Sequence, residues 1–264
     1  MTKRLISVLL LISIFAGTLS TVAFAVKNDP LYYIEDDGRV DHVDTPSDDP
    51  IIDPENISAD DLTVSETCIE FIMAYEGCLN TPAVDVSQYS IGYGCSTAYA
   101  EKYGFSTTYI TDDEAYQLLL CVISGLEQKL NSFIEKNDLS LKQHQYDSLI
   151  SFTFNIGTGW LVNNYRITEL IRDGDYTINE FACAMGVWCH VKSGDETKIL
   201  NDLLNRRIDE IKMFLFGIYE FPKETNNTYT FCPVFFDGNG GSPQTDIGLY
   251  LCGEPFGALI TGTH

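Results

Sequence analysis

The sequence predicts an α+β fold of two lobes: a small lobe of helix and sheet, a long connecting helix and a helical lobe, followed by a short C-terminal β segment. Helical periodicity begins near residue 63, and residues 79–95 interrupt it with short strands and turns. An apolar stripe from Leu118 to Phe133 is long enough for a helix that connects two lobes. After Tyr219, aromatic β-type runs flank an Asp-Gly-Asn-Gly-Gly segment, which is typical of a hairpin.

Local signals place the ends of the predicted helices. Thr63 and Glu66 form a T-x-x-E capping box that predicts a helix start, and Gly77 predicts the end of that helix. Thr111 and Glu114 repeat the capping box at the start of the connecting helix. Further helical patterns cover an apolar stretch that ends at Gly157 and the segments near 163–173, 178–188 and 200–216.

The N-terminal part of the chain does not resemble a folded domain. Lys3 and Arg4 precede an apolar run that ends in "VAFA" at Ala25, so residues 1–25 are predicted to be a secretory signal peptide. An uncleaved N-terminal anchor is the alternative. Residues 26–61 hold twelve Asp and Glu against two Lys and Arg, which predicts an acidic, disordered linker.

The negative charge of the chain limits the kinds of partner that it is able to bind. The formal net charge is −22, and such a chain repels nucleic acid and an anionic cell wall. We therefore expect no nucleic-acid partner, and any wall binding must depend on pockets or on a separate module. No segment after the signal is long and apolar enough to span a bilayer, so we expect no stable membrane insertion.

The chain holds eight cysteines, an even number that permits disulfides in an exported protein. Cys232 and Cys252 lie close together in the C-terminal segment and are able to pair locally. The sequence does not fix the pairing of the other six, and several of them are equally explained as small buried apolar residues. No C-x-x-C or H-x-x-x-H pair occurs, so we expect neither a metal nor another cofactor.

Three residues near the strand-and-turn segment form a candidate hydrolytic set. Glu76 is predicted to end a helix, where the negative end of the dipole and apolar neighbours favour a neutral carboxylic acid. Asp85 lies in a polar turn and should stay ionised, and Ser90 offers a hydroxyl that could hold a water molecule. A neutral acid paired with a carboxylate is what hydrolysis of a glycosidic bond requires. On spacing alone, a capped surface turn explains these residues better than a hydrolytic set does.

Residues 65–220 resemble a phage-type lysozyme of glycoside hydrolase family 24. The matching pieces occur in the order of the family: "YEG", an aspartate nine residues after the glutamate, "IGYG", "ITDDEAYQLL", "LKQHQYDSLISFTFNIGTG", "IRDGDY", "VW" and "NRRIDE". The resemblance implies a two-lobed phage-lysozyme-like fold. It also implies cleavage of the β-1,4 bond between N-acetylmuramic acid and N-acetylglucosamine in peptidoglycan, with inversion at the sugar carbon.

The same resemblance assigns roles to individual positions. Glu76 would be the general acid, and Asp85 would position the attacking water and balance the developing positive charge. Ser90 stands where the family usually has a threonine. Asn155 matches a position that faces the cleft and contacts sugar, although capping of a buried helix explains it equally well.

The sequence departs from the family pattern around the candidate site. Asp85 and Ser90 stand one residue closer together than the usual Asp-to-Thr pair, and the glycine usual in that turn is absent. Serine keeps the hydroxyl but lacks the methyl group that stiffens threonine. Cys95 follows "IGYG" where a histidine is usual, so the ion pair of that histidine is missing.

Other conspicuous side chains are predicted to be structural. Arg206 and Arg207 should pair with Asp209, Glu210 or another helix, and both tryptophans, Trp160 and Trp188, should lie in the core rather than form sugar platforms.

The C-terminal segment carries a second resemblance. Residues 229–257 resemble the start of an extracellular β-grasp repeat of the Listeria–Bacteroides type, marked by "FDGNGG" and "YLCGEPFG". We therefore expect a lysozyme-like domain at 62–220 and a partial β-repeat module at 221–264 that serves surface or wall association.

The sequence favours a secreted, monomeric peptidoglycan hydrolase of the lysozyme type. Two biological roles fit this class: an autolysin or competitor-lysing enzyme, or a prophage endolysin. The export signal favours the first. The alternative is a non-catalytic protein that binds cell-wall glycans on a lysozyme fold, which the altered turn and Cys95 favour.

Overall fold

The computed structural model describes residues 62–85, 88–193, 196–222, 230–237 and 245–252. The helices are α1 (Glu66–Glu76), α2 (Thr97–Lys102), α3 (Asp112–Lys136), α4 (Gln143–Ile156), α5 (Gly159–Val162), α6 (Arg166–Asp173), α7 (Ile178–Gly186) and α8 (Asn201–Phe216), with a 3-10 turn at Val187–Cys189. The strands are β1 (Leu79–Asp85), β2 (Gln88–Gly92), β3 (Cys95–Ser96), β4 (His190–Ser193), β5 (Glu196–Ile199), β6 (Phe231–Asp237) and β7 (Thr245–Leu251).

The small lobe is built on an antiparallel sheet of β1, β2 and β3 in that order. Its buried side chains come from the sheet, from α2, from the segment before α3 and from the first half of α3, and include Ile91, Ala100, Ile110 and Leu118. The strands follow directly after α1, so the end of that helix and the start of the sheet lie side by side.

Helix α3 is shared by the two lobes. Leu118 and Val122 face the small-lobe core, whereas Leu119, Ile123 and Leu126 belong to the larger core of the helical lobe. A helix of 25 residues is about 38 Å long, enough to serve both cores. The predicted α+β architecture, with two lobes and a connecting helix, is confirmed.

Helix α1 belongs to the helical lobe, because its apolar stripe of Cys68, Ile69 and Ile72 packs in the larger core. Its first residue is Glu66, and its N-cap is Ser65 rather than the predicted Thr63. The buried Asp147 of α4 explains the shift, since it accepts hydrogen bonds from the backbone N–H of Ser65 at 2.9 Å and from its hydroxyl at 2.6 Å. A tertiary contact thus selects the cap.

Where the predicted signals are purely local, the structure follows them. Thr111 and Glu114 form the reciprocal capping box of α3, with hydrogen bonds of 3.2 and 2.8 Å. Gly77 and Gly157 end α1 and α4 with positive φ, which glycine adopts without strain. The β4–β5 hairpin is not among the predicted elements.

The C-terminal strands β6 and β7 form the predicted hairpin, and Cys232 pairs with Cys252 in a disulfide across its open end. Its apolar residues Phe231, Ile247 and Leu249 are buried in the same core as the helical lobe. The described part of residues 221–264, which the sequence predicted to be a partial β-repeat module, therefore contacts the core of the helical lobe.

Helix α7 is the surface on which the hairpin lies. Asn179 Oδ1 accepts a hydrogen bond from the Leu251 N–H at 3.0 Å, and the Cys183 thiol contacts the Leu249 carbonyl oxygen at 3.3 Å. A Cβ atom on Gly186 would lie 2.6 Å from Leu249 Cδ1, so the bare glycine makes the room that Leu249 fills. This close fit ties the hairpin to the helical lobe.

The predicted signal peptide at 1–25 and the predicted linker at 26–61 fall outside the described residues. Within the described ranges, none of the helices combines the length and the apolar character that a bilayer crossing requires.

Candidate active site

Glu76 is the last residue of α1 and lies where the two lobes meet. Gly77 terminates the helix, with φ of +68° and a hydrogen bond of 3.0 Å from its N–H to the Met73 carbonyl oxygen. Strand β1 begins at Leu79, so the chain turns from the helical lobe into the sheet directly after Glu76. The glutamate is therefore fixed on a rigid helix end beside the sheet.

A guanidinium from the helical lobe holds the Glu76 carboxylate. Arg206 of α8 forms an ion pair with Glu76 Oε1, although 130 residues separate the two in the sequence. The Arg206 side chain is only 4% exposed and that of Glu76 21% exposed. The sequence predicted apolar neighbours for Glu76, and this expectation was wrong because α8 brings a buried cation to the helix end.

The second carboxylate oxygen faces the small lobe. A Cβ atom built on Gly94, between β2 and β3, would lie 2.8 Å from Glu76 Oε2 and 3.3 Å from Cδ. Gly94 also has φ of +76°, a conformation that residues with a side chain rarely adopt. The last glycine of "IGYG" thus lets the sheet backbone approach the carboxylate closely.

This close approach predicts that Gly94→Ala impairs the site beyond its effect on stability. The methyl group would displace the Glu76 carboxylate, and a displacement of about 1 Å is able to cost about a hundredfold in rate. Gly104→Ala is the matched control, because Gly104 has φ of +79° but open space around its Cβ position. We expect both variants to lose about 1–2 kcal/mol of unfolding free energy and only Gly94→Ala to lose activity. Equal activity in the two variants would contradict this account.

Asp85 and Ser90 lie on one hairpin. Ser90 pairs with Ala83, and Asp85 pairs with Gln88. Opposite residues and alternate residues share one face of an antiparallel pair, so the positions of Asp85 and Ser90 belong to the same face. Ser90 is buried, at 3% exposure. The side chain of Asp85 lies outside the described residues, so its distance from Glu76 stays a prediction.

Cys95 is a buried thiol close to Glu76. Burial, and then the negative charge of Glu76, raise the pKa of Cys95 well above its ordinary value. The thiol is therefore neutral near neutral pH, and it brings no positive charge to the site. Among the described side chains, Arg206 supplies the cation that pairs with Glu76.

Arg206 is itself fixed by a buried polar network. Its Nε donates to Glu210 Oε1 at 3.1 Å, and the Ser151 hydroxyl donates to the same oxygen at 2.7 Å. Arg207 lies 2.9 Å from Glu210 Oε2 and donates to Asn155 Oδ1, also at 2.9 Å. Both arginines are structural, as predicted, and Asn155 is anchored to this network through Arg207.

The partnership of Glu76 with Arg206 is the contact that the sequence reading missed. "NRRIDE" places two arginines three and four residues before Glu210. The same motif holds two carboxylates, Asp209 and Glu210, so its charges balance locally. The sequence therefore holds no signal that the carboxylate of Glu76 would join Arg206 from another element.

The two tryptophans are core residues, as predicted. Trp160 and Trp188 are 0% and 1% exposed, and each packs edge-on or tilted against Phe152 with ring centroids 5.7 Å apart. Trp160 Nε1 donates to the Thr153 hydroxyl at 3.1 Å. Neither ring is placed to bind a sugar.

Comparison with known proteins identifies the family of this chain. The phage lysozyme family model matches residues 73–210, which include Glu76 and Arg206, and the chain belongs to that family. The endolysin of Bacillus phage B103 is 30% identical over 169 residues, which cover 59% of this chain and 55% of the relative. The chain thus spans about half the length of this curated relative.

Solved structures similar to this chain come from both bacteria and phages. The muramidase domain of SpmX from Asticaccaulis excentricus is 25% identical, with a TM-score of 0.49, over 58% of this chain and 97% of that domain. An endolysin from Escherichia coli O157:H7 phage FAHEc1 is 23% identical, with a TM-score of 0.49, over 61% of this chain and 97% of that structure.

Proposed function

We propose that this protein is a peptidoglycan hydrolase that cuts the β-1,4 bond between N-acetylmuramic acid and N-acetylglucosamine. The observation that carries the proposal is the placement of Glu76. Its carboxylate is held between Arg206 and the Gly94 turn, next to the hairpin that carries Asp85 and Ser90. Membership of the phage lysozyme family supports the same assignment.

Glu76 is proposed as the general acid. It would give its proton to the glycosidic oxygen as the bond to the sugar carbon breaks, which makes the leaving group a neutral alcohol. The rigid helix end and the buried Arg206 hold the carboxyl group in one place, so binding the substrate need not order it. Asn155, anchored by Arg207, is proposed to contact the glycan.

Asp85 and Ser90 are proposed to serve the attacking water. Asp85 would orient the water and take up its proton as its oxygen bonds to the sugar carbon, and the hydroxyl of Ser90 would hold the water in line. This arrangement inverts the configuration at the sugar carbon and needs about 6.5–9.5 Å between the two carboxyl groups, against about 5–5.5 Å for a direct nucleophile.

The proposed inversion predicts the first product. Fresh digests of soluble glycan fragments, followed by NMR before mutarotation, should show the α-anomer first. Asp85→Asn should lower the rate without trapping a glycosyl-enzyme. A β-anomer that forms first, or a covalent adduct on Asp85, would mean a retaining enzyme.

A second candidate function is glycan binding without cleavage. The shortened Asp85-to-Ser90 spacing and the neutral Cys95 thiol favour it, because both change the surroundings of the proposed water. Incubating the purified protein with peptidoglycan and analysing soluble fragments by mass spectrometry separates the two functions. Muropeptides with new reducing ends at muramic acid support the hydrolase, whereas retention on intact sacculi without such fragments supports the binding protein.

The proposed setting is extracellular. Residues 1–25 would direct export, the mature protein would act as a monomer, and the C-terminal segment would associate it with the cell surface. An N-terminus at Val26 in the exported protein, measured by mass spectrometry, tests the export signal, and sedimentation velocity tests the monomer. Export favours the role of an autolysin or competitor-lysing enzyme over that of a prophage endolysin.

A further inference from the structure

Tyr75, the residue before Glu76, contacts the partner of Glu76 rather than Glu76 itself. The Cζ atom of Arg206 lies 5.2 Å from the centroid of the Tyr75 ring, within the range of a cation–π contact. The Tyr75 hydroxyl donates a hydrogen bond to Asp209 Oδ2. Asp209 lies three residues after Arg206, one turn along α8.

We propose that Tyr75 is a positioning residue for the candidate acid: its ring and its hydrogen bond to Asp209 fix the Arg206 guanidinium where it holds the Glu76 carboxylate. The proposal rests on the proposed function of Glu76, which it deepens. Tyr75 is proposed to contact neither the substrate nor the Glu76 carboxylate and to act only through Arg206.

The Arg206 guanidinium is held by contacts from two sides. Hydrogen bonds from Arg206 to Glu210 and to the Ser151 carbonyl oxygen hold it from the helical lobe. The Tyr75 ring lies against the guanidinium from α1, the helix that also carries Glu76. Because Arg206 has contacts on both α1 and α8, its guanidinium keeps a fixed position relative to both helices. A single ion pair between two flexible side chains would not fix that position.

The Tyr75 ring is itself held at two points. The ring centroid of Phe71, one helical turn earlier, lies 4.9 Å away, and the hydroxyl is anchored on Asp209. Burial, and then the charge of Asp209, raise the pKa of Tyr75, so the phenol stays a neutral donor. Without the hydroxyl, packing against Phe71 alone would leave the ring freer to tilt away from Arg206.

Asp209 has several charged neighbours besides Tyr75. The pKa of Asp209 is raised to about 7, chiefly by burial. The charges of Glu220 and Glu210 also raise it, whereas the hydrogen bond from Tyr75 and the charge of Lys212 lower it. Lys212 also forms an ion pair with Glu220, so part of its charge is already balanced. The hydrogen bond from Tyr75 is thus one of the contacts that favour the ionised carboxylate at neutral pH.

The test compares Tyr75→Phe with Tyr219→Phe in the full chain. Tyr219 donates its hydroxyl to the buried Asp147 at 2.5 Å, beside Ser65 at the opposite end of α1. Each variant therefore loses one hydrogen bond from a phenol to a carboxylate, but only Tyr75 contacts Arg206. We expect Tyr75→Phe to lower kcat on soluble glycan fragments about tenfold at unchanged KM and Tyr219→Phe to leave both constants near wild type.

A second readout does not depend on activity. The titration of the Glu76 side-chain carboxyl, followed by ¹³C NMR, should shift its midpoint in Tyr75→Phe and not in Tyr219→Phe, because the position of the guanidinium sets the charge that Glu76 experiences. Asp209→Leu should reproduce the effect of Tyr75→Phe, whereas Asp209→Asn, which keeps an acceptor oxygen, should stay closer to wild type.

The outcomes separate this proposal from the proposed function. If the wild-type protein releases no glycan fragments, the hydrolase assignment fails, and the NMR midpoint still decides the role of Tyr75. If Tyr75→Phe and Tyr219→Phe behave alike in kcat and in the Glu76 midpoint, Tyr75 is only a packing residue and the proposal is overturned.

Discussion

Replacing Glu76 by glutamine should abolish nearly all release of glycan fragments while the protein stays folded. Glutamine has the shape of the glutamic acid side chain but no proton to give to the leaving oxygen. General acid catalysis contributes about 10²–10⁴-fold to a rate, and we expect a loss in that range. The measurement is the initial rate at which reducing ends appear in a suspension of peptidoglycan.

The structure explains why this substitution should spare the fold. The amide oxygen of glutamine is still able to accept a hydrogen bond from Arg206, and Glu210 continues to balance that buried guanidinium. Glu70→Gln is the matched control, because Glu70 is an exposed glutamate on the same helix. Near-wild-type turnover in Glu76→Gln, or an equal loss of activity in Glu70→Gln, would contradict the assignment of Glu76 as the acid.

Truncating Leu249 should destabilise the whole lysozyme-like domain, not only the hairpin that carries it. Leu249 is 0% exposed and fills the space above Gly186 on α7. Removing a buried leucine side chain costs about 2–5 kcal/mol, because apolar burial is lost and a cavity remains. Unfolding in urea, followed by tryptophan fluorescence, measures the effect, since Trp160 and Trp188 lie in the same core.

Val162→Ala provides the control for Leu249→Ala, because Val162 is 80% exposed and should cost little. Deleting residues 230–264 should lower the unfolding midpoint even further, since Phe231, Ile247 and Leu251 would no longer cover the helical lobe. An unchanged unfolding midpoint in the deletion variant would support the separate module that the sequence predicted.

Elements set by neighbouring residues were predictable from the sequence. The capping box of Thr111 and Glu114 was predicted, as were the glycine ends of α1 and α4, because the groups that form them lie within a few residues of one another. Burial of the two tryptophans was also predictable, since a helical domain of this size needs large apolar side chains in its core.

The candidate site was predictable only in part. Glu76, Asp85 and Ser90 were found because they lie close together in the sequence and match an ordered series of motifs. The register places Asp85 and Ser90 on one hairpin face, because Ser90 lies opposite Ala83, two residues before Asp85. The cation at Glu76 was missed, because α8 supplies it from far along the chain.

The sequence by itself determined the start of α3, the glycine ends of α1 and α4 and the choice of the candidate acid. Only the tertiary structure decided that Ser65 caps α1, that Arg206 and not an apolar wall faces Glu76, and that the C-terminal hairpin packs on α7. The physical reason is the range of the interactions. Caps and turns satisfy backbone groups with nearby atoms, whereas a buried carboxylate or leucine takes whichever partner the packed helices bring to it.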